Sequence, residues 1–315
     1  MPRGTSAAGV ILAGMRDRLN DQLLLRLGPV IFVVLWSGGF TAVRLGLLDS
    51  GPLTFLVARY LLVLAVLAPL ALALRPPFPE RRAVWGHLVA VALLIQVLYF
   101  ALINISLELG TSATGVALIA SLQPVLVALA VPRLTGEQVG TARWAGLALG
   151  LGGAALVIVT RGDIRASPLG VMGAAGALLA ITTGTLYERR FGVDAHPVSA
   201  NLVQFAIAFL VLLPVAYAVE RLRLHPTLRF GAALAYLALA NSLISITLLL
   251  AMIRRGDAAR VSALFFLVPP VAGLIALLVL GERMPPLGWV GMAIAAAGVA
   301  LATRKNPAQV EAAKQ

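Results

Sequence analysis

The sequence predicts an all-α integral membrane protein with ten transmembrane helices in two inverted five-helix repeats. Three observations lead to this prediction: the apolar composition, the length of the apolar runs, and the recurrence of the same residues in both halves of the chain. Of the 315 residues, 60% are hydrophobic and 12% are charged, whereas soluble domains are roughly 45–50% apolar and about 25% charged. A soluble fold could not bury this apolar excess, but a lipid bilayer solvates it.

Ten apolar runs come close to the roughly 20 residues that a helix needs to cross a hydrocarbon core about 30 Å thick. Each run is predicted to be helical because backbone polar groups in lipid must be hydrogen-bonded within the spanning element. The runs also lack the alternating segments of about 10 residues that are typical of membrane β-barrels. In chain order, the predicted spans are Leu27–Leu48, Leu53–Leu74, Val84–Leu107, Thr111–Val131, Gly140–Thr160, Leu169–Tyr187, Val198–Val219, Gly231–Ile253, Asp257–Leu280 and Leu287–Thr303.

The lysines and arginines are distributed unequally between the two sides of the predicted bundle. The terminal segments and the loops after the second, fourth, sixth and eighth spans carry most of them. Because cytoplasmic loops of membrane proteins are enriched in Lys and Arg, both termini are predicted to be cytoplasmic. Residues 1–26 and 304–315 are the predicted tails, and an even number of spans agrees with this orientation.

The two halves of the chain share identical residues in one register. A shift of 145 residues aligns Trp, Glu, Pro and Gly positions that chance matches among Leu and Ala would not align. The repeats are predicted to comprise residues 27–160 and 168–303. Because each holds an odd number of spans, the second enters the membrane from the opposite side, an architecture typical of secondary transporters. The matched pairs are Gly28 and Gly173, Gly39 and Gly184, Pro52 and Pro197, Pro69 and Pro214, Gly86 and Gly231, Pro124 and Pro269, Gly136-Glu137 and Gly281-Glu282, Trp144 and Trp289, Gly146 and Gly291, and Gly153 and Gly298.

Several other functions find little support in the residues. The net charge is +12, but the basic residues lie in short loops and not in a patch with interleaved aromatics, so no nucleic acid is expected as a partner. Cysteine is absent and the three histidines are far apart, which leaves no metal-ligand spacing. No P-loop sequence is present for ATP-driven transport. We therefore predict no cofactor and no metal.

Short motifs recur in the same order in both halves. In the first half they are Trp36-Ser-Gly-Gly-Phe40, Arg59 after Pro52, and Gln123-Pro124 followed by Gly136-Glu137. In the second half they are Gly256-Asp257-Ala258-Ala259-Arg260, Pro269-Pro270, Gly281-Glu282, Trp289 and Gly291. In order, spacing and duplication these motifs resemble EamA domains of the drug/metabolite transporter superfamily, and the pattern is similar to that of bacterial aromatic amino-acid exporters.

The second copy departs from the first at two of these positions. Ile181 stands where Trp36 would recur, and Gln204 stands where Arg59 would recur. The two halves are therefore expected to contribute unequally to a site.

The resemblance implies a secondary transporter, not an enzyme, which exports small metabolites, amino acids in particular, across a bacterial inner membrane by alternating access. Two alternatives stay open at this point. One is efflux of drugs or hydrophobic cations, and the other, of a different class, is a polytopic membrane enzyme acting on lipid head groups. The expected partners are a small-molecule substrate and the lipid bilayer.

Polar and aromatic side chains within the spans are the candidate site residues, because polar groups are costly in lipid unless they face a cavity or a partner. Gln96 and Tyr99 are three residues apart and are expected to share a helical face. Asn241 and Ser245 are four apart and are expected to point the same way. Hydrogen bonding between helices is the alternative role for the polar members. The residues predicted to line a central cavity are Trp36, Gln96, Tyr99, Asn104, Gln123, Asn241 and Ser245.

Prolines and one arginine complete the predicted site. Pro124, Pro269 and Pro270 are predicted to kink or gate their helices, because proline has no N–H to donate and clashes with the preceding turn. Arg59 lies about two turns from the end of its span. It either snorkels or packs against helix ends, or it contacts the substrate directly.

Overall fold

A computed structural model describes residues 7–123, 125–127, 129–130, 141–160, 167–191, 195–245, 248, 264 and 267–302. Over these residues the regular secondary structure is helical, apart from an isolated antiparallel bridge between Ser50 and Leu224. The prediction of an all-α protein is confirmed for this part of the chain.

Six of the helices contain segments at least 18 residues long that are apolar enough to cross a membrane, and the apolar segments of the other helices are 10–17 residues long. This agrees with a multi-pass membrane protein, as the composition predicts. We label the helices α1 Ala7–Gly46, α2 Pro52–Leu74, α3 Arg82–Glu108, α4 Ala113–Ala120, α5 Thr141–Thr160, α6 Pro168–Phe191, α7 Pro197–Glu220, α8 Leu228–Ser245, α9 Val268–Leu280 and α10 Pro286–Ala302.

Helices α2 and α7 begin and end in the same way. Pro52 and Pro197 lie in the first turn of each helix, where the missing N–H of proline costs no helical hydrogen bond. Each helix ends at an arginine in the left-handed conformation, with φ of 47° at Arg75 and 57° at Arg221. The two helices pack against each other, and the rings of Tyr60 on α2 and Phe205 on α7 lie 5.5 Å apart between centroids.

Helices α3 and α8 each contain a π-helical segment, Ala92–Tyr99 and Tyr236–Ser245. A π-helix pairs each residue with the fifth along the chain, and such segments are rare and often occur at functional sites. In α8 two serine hydroxyls donate to carbonyls five residues earlier, from Ser242 Oγ to Leu237 O at 2.9 Å and from Ser245 Oγ to Ala240 O at 3.0 Å.

Helices α5 and α10 approach each other through glycines. A Cβ atom added to Gly291 would lie 2.9 Å from the carbonyl oxygen of Gly153, and Gly298 meets the main chain of α5 in the same way. Small residues allow this close approach of backbones in membrane bundles. This packing is the role that the glycine pattern of these two helices predicts.

Some of the predicted features lie outside the described residues: Pro124, Gly136-Glu137, the segment Gly256–Arg260, residues 1–6 and residues 304–315. Pro269 and Pro270 are described and lie in the first turn of α9. At that place their missing N–H groups remove no hydrogen bond from the helix interior.

Candidate central cavity

A cavity of about 30 Å³ lies between α1, α2, α3 and α8. A space of this size holds roughly two water molecules, so the cavity is small in this conformation. Its walls combine helices from the first and second halves of the chain. The lining residues are Trp36, Gly39, Phe40, Val43, Arg59, Tyr99, Phe100, Ile103, Leu237 and Asn241.

Arg59 of α2 is the charged group of this cavity, and its side chain is only 2% exposed. Its Nε donates to Ser242 Oγ at 3.1 Å, and its Nη2 donates to Ser242 Oγ at 2.8 Å and to Asn241 Oδ1 at 3.2 Å. The guanidinium carbon lies 4.5 Å from the ring centroid of Phe100, within the range of a cation–π contact. In the part of the chain that the structure describes, no acidic side chain pairs with Arg59, so the described lining of the cavity carries a net positive charge.

Asn241 ties α8 to the main chain of α1. Its Nδ2 donates to the carbonyl oxygens of Leu35 and Trp36 at 3.3 and 3.4 Å. The Tyr236 hydroxyl donates to the same Leu35 oxygen at 2.9 Å. Gly39 makes room for this contact, because a Cβ atom at that position would lie only 2.7 Å from Asn241 Nδ2. A side chain larger than that of glycine would therefore be excluded for steric reasons at position 39 of the Trp36–Phe40 motif.

Aromatic rings form much of the remaining wall. The rings of Tyr99 and Phe100 meet edge to face with centroids 4.8 Å apart, and Trp36 packs beside Phe32 at 5.6 Å. Aromatic faces with a few convergent polar groups are typical of small-molecule sites.

The structure brings Trp36, Tyr99 and Asn241 together in this cavity, and Arg59 with them. Arg59 does not snorkel to a membrane surface; it is buried against α8. Four other predicted site residues do not line the cavity. Asn104 Nδ2 donates to Pro52 O at 3.0 Å, and Gln123 Nε2 donates to Thr185 Oγ1 at 3.0 Å. The Ser245 hydroxyl donates to a carbonyl within α8. Gln96 is buried, and its main-chain carbonyl accepts a hydrogen bond from the Tyr60 hydroxyl.

Gln96 and Tyr99 diverge for a structural reason. The expectation that they share a face assumes about 3.6 residues per turn, but both lie in the π-helical segment of α3. A π-helix has a wider turn, since its hydrogen bonds span five residues. Residues three apart are then farther round the helix, and only Tyr99 reaches the cavity. Phe40 and Phe100 also line the cavity but were not predicted as site residues, although Phe40 ends the Trp36–Phe40 motif and Phe100 follows Tyr99 in the sequence.

A second cluster joins two loops at one end of α1, α2 and α8, and we call it the interloop clasp: Asp49, Glu220, Thr227 and Arg229. Asp49 Oδ1 accepts from Arg229 Nη2 at 2.8 Å, and its Oδ2 accepts from Arg229 Nε at 2.9 Å and from Thr227 Oγ1 at 2.8 Å. The hydrogen bonds from Arg229 and then Thr227 hold the pKa of Asp49 below its ordinary value. Sequence reasoning did not select this cluster.

Glu220 completes the interloop clasp at the start of α2. Its carboxylate accepts from the backbone N–H groups of Leu53 at 3.0 Å and Thr54 at 2.7 Å, and from the Thr54 hydroxyl at 2.6 Å. A carboxylate at a helix N-terminus satisfies free amides and complements the helix dipole. The end of α7 is thereby bound to the start of α2.

A multi-pass helical bundle with a small polar and aromatic cavity between its two halves is the arrangement of many secondary transporters. Comparison with protein families identifies the group: the model of the EamA-like transporter family matches residues 27–159 and 168–304. The chain belongs to this family, which confirms the resemblance seen in its motifs. Because the matched family and relatives are named as transporters, the prediction that the chain is not an enzyme is also confirmed.

Two relatives and one solved structure illustrate the likeness. The chain is 30% identical over 285 residues to the "Probable terminal-alkyne amino-acid exporter" of Streptantibioticus cattleyicolor, covering 88% of this chain and 92% of that protein. It is 23% identical over 283 residues to the "Uncharacterized inner membrane transporter YedA" of Escherichia coli K12, covering 90% and 92%. A solved crystal structure aligns with a TM-score of 0.62 at 22% identity, covering 88% of this chain and 96% of the other; it supports the fold alone.

Proposed function

We propose that this protein is a secondary transporter that exports small metabolites, amino acids in particular, across a bacterial inner membrane by alternating access. The observation that carries the proposal is the cavity itself, whose walls combine α1, α2 and α3 of the first half with α8 of the second. Transport sites lie between repeats because the relative motion of the repeats opens a site to either side. The name of the relative that is an amino-acid exporter supports the substrate class.

The proposed architecture is ten spans in two inverted repeats, residues 27–160 and 168–303. Its support is the recurrence of structure at the 145-residue shift. Helices α2 and α7 have the same first-turn proline, and the π-helical segments of α3 and α8 occupy matching places. Equivalent helices also pack in pairs, α2 with α7 and α5 with α10, which agrees with a two-fold axis passing between them.

The proposed orientation has both termini in the cytoplasm, with residues 1–26 and 304–315 as tails. The excess of Lys and Arg in the terminal segments and even-numbered loops supports it. In this orientation the interloop clasp faces the outside of the cell.

Trp36, Tyr99 and Asn241, with Arg59, are the residues that we assign to the substrate cavity. Asn104 and Gln123 are assigned to packing between helices, because each donates to a neighbouring helix or its first turn. Gln96 is assigned a structural role within α3, and Ser245 a structural role within α8. Pro269 and Pro270 are assigned to the start of α9, and Pro124 keeps its predicted role as a kink.

Efflux of hydrophobic cations is the competing transport function. The buried charge of Arg59 argues against it, because a like charge in a site of low dielectric constant repels a cation strongly. A cation pump would be expected to place a carboxylate in the cavity, and the lining residues that the structure describes include none.

Flux measurements in proteoliposomes test the proposal. Purified protein is reconstituted, the vesicles are loaded with radiolabelled L-phenylalanine, L-leucine or tetraphenylphosphonium, and release is followed with and without protein. We expect protein-dependent release of at least one amino acid and none of the cation. Release of tetraphenylphosphonium without release of either amino acid would replace the proposed function by cation efflux.

A further inference from the structure

We propose that the substrate carries a carboxylate, that this carboxylate binds the guanidinium of Arg59, and that an amino group on the substrate is not required. This inference rests on the proposed transport function and names its substrate class: carboxylic acids with an apolar or aromatic body.

The first argument is the charge of the site. A guanidinium keeps its proton in proteins, and a buried charge is costly unless it is paired and hydrogen-bonded. Arg59 is 2% exposed, and among the described residues its partners are two neutral side chains and the face of Phe100. A bound anion would supply the missing counter-charge, whereas a neutral or cationic ligand would not.

The second argument is the supply of hydrogen-bond donors. The bonds to Ser242 and Asn241 use Nε and Nη2 of Arg59, and Nη1 makes no hydrogen bond to any described residue. The bonds that are made fix the plane of the guanidinium and leave the two N–H groups of Nη1 to donate to a carboxylate in a charge-assisted contact. Tyr99 also lines the cavity, and its hydroxyl makes no hydrogen bond to a described residue. It can provide a second donor to the same anion.

The third argument is the lack of a matching partner for an ammonium group. The described lining residues include no carboxylate. Asn241 Oδ1, the side-chain amide acceptor of the cavity, already accepts from Arg59. The rest of the wall is apolar, with Trp36, Phe40 and Leu237 among its members. The carboxylate therefore determines recognition, and the apolar wall accommodates the body of the molecule.

Binding measurements with three related probes test this inference. L-phenylalanine has both groups, 3-phenylpropionate lacks the amino group, and phenethylamine lacks the carboxylate. With the full-length protein in detergent, we expect both carboxylates to bind and phenethylamine to bind at least ten-fold more weakly. Charged hydrogen bonds are the strong ones, so Arg59→Gln should weaken both carboxylates at least ten-fold.

Arg44→Gln is the matched control. Arg44 is also an arginine within a span, but it donates to the carbonyl oxygen of Leu107 and does not line the cavity. Its replacement should leave the affinity for 3-phenylpropionate unchanged. If Arg59→Gln does not fold, Arg59→Lys keeps the charge and loses the planar guanidinium, and it should still prefer 3-phenylpropionate to phenethylamine.

Several outcomes would overturn the inference. Equal binding of phenethylamine and 3-phenylpropionate would do so, as would unchanged affinity in a folded Arg59→Gln protein, no preference in Arg59→Lys, or no binding of any probe. Flux separates this failure from failure of the proposed function. If the wild type and a folded Arg59→Gln protein release L-phenylalanine equally, the proposed transport function is supported and carboxylate binding by Arg59 is refuted. If the wild type releases no amino acid, the proposed function itself fails.

Discussion

Replacing Gly39 by alanine should weaken the contact between α1 and α8 at the cavity. The added Cβ atom would lie 2.7 Å from Nδ2 and 3.3 Å from Cγ of Asn241, closer than van der Waals contact permits. The amide must then move away. It would lose its bonds to the carbonyl oxygens of Leu35 and Trp36, at 3.3 and 3.4 Å, and its bond from Arg59 Nη2 at 3.2 Å.

The size of the effect follows from these three hydrogen bonds. Bonds between membrane helices contribute about 0.6 kcal/mol each on average, and a bond from a charged donor contributes about 1.5–3 kcal/mol. The exchange of glycine for alanine within a helix offsets about 0.5–1 kcal/mol of this loss. The net expectation is a destabilisation of about 2–4 kcal/mol.

The assay is unfolding by SDS in mixed micelles, followed by circular dichroism. Gly86→Ala in α3 is the control, because a Cβ atom added there meets no other atom within 4 Å. Because that variant loses only the conformational freedom of glycine, its free energy of unfolding should rise by about 0.5–1 kcal/mol. The two substitutions are thus expected to have opposite signs. A Gly39→Ala protein as stable as the Gly86→Ala protein would refute the steric argument.

Three further predictions concern other parts of the molecule. Asp49→Asn should lower stability at neutral pH, and the difference from the wild type should vanish in acid. The pKa of Asp49 is lowered in the folded state. The Asp49 carboxylate therefore stabilises the fold fully above its ordinary pKa of 3.8, and this stabilisation is lost as the pH falls through the folded-state pKa. Unfolding measured against pH checks this, and a difference that persists in strong acid would contradict it. Gly291→Leu should destabilise the contact of α5 with α10 by about 1–3 kcal/mol in the SDS assay, with Gly152→Ala, which faces open space, as control; an unchanged midpoint would count against the packing described. Reporters fused after residue 315 should be active only if they work in the cytoplasm, and activity of a periplasmic reporter would reverse the proposed orientation.

The helical fold could be predicted from the sequence because hydropathy reports directly on the membrane environment. The cavity residues Trp36, Arg59, Tyr99 and Asn241 could be selected for a related reason, since polar or bulky aromatic side chains inside a span stand out against Leu and Ala. Hydropathy does not report where these side chains meet. Asn104 stands out in the same way, yet it bonds to the first turn of α2.

Two features required the three-dimensional structure. The π-helical segment at Ala92–Tyr99 changes the turn spacing without any matching change in composition, so Gln96 could not be separated from Tyr99 by counting residues. The interloop clasp joins Asp49 to Arg229, which are 180 positions apart in the chain. Such a pairing depends on which loops the packed helices bring together, and local sequence does not contain that information.

The chemistry of the interloop clasp bears on the energy source of transport. In the proposed orientation this contact meets the external medium, which in bacteria can be considerably more acidic than the cytoplasm. Because the bonds from Arg229 and Thr227 hold the pKa of Asp49 below its ordinary value of 3.8, this carboxylate keeps its charge at a lower pH than an unpaired aspartate would. The contact between Asp49 and Arg229 is thus less sensitive to an acidic exterior than an ordinary aspartate contact, and Asp49 is a poor candidate for the group that couples transport to protons.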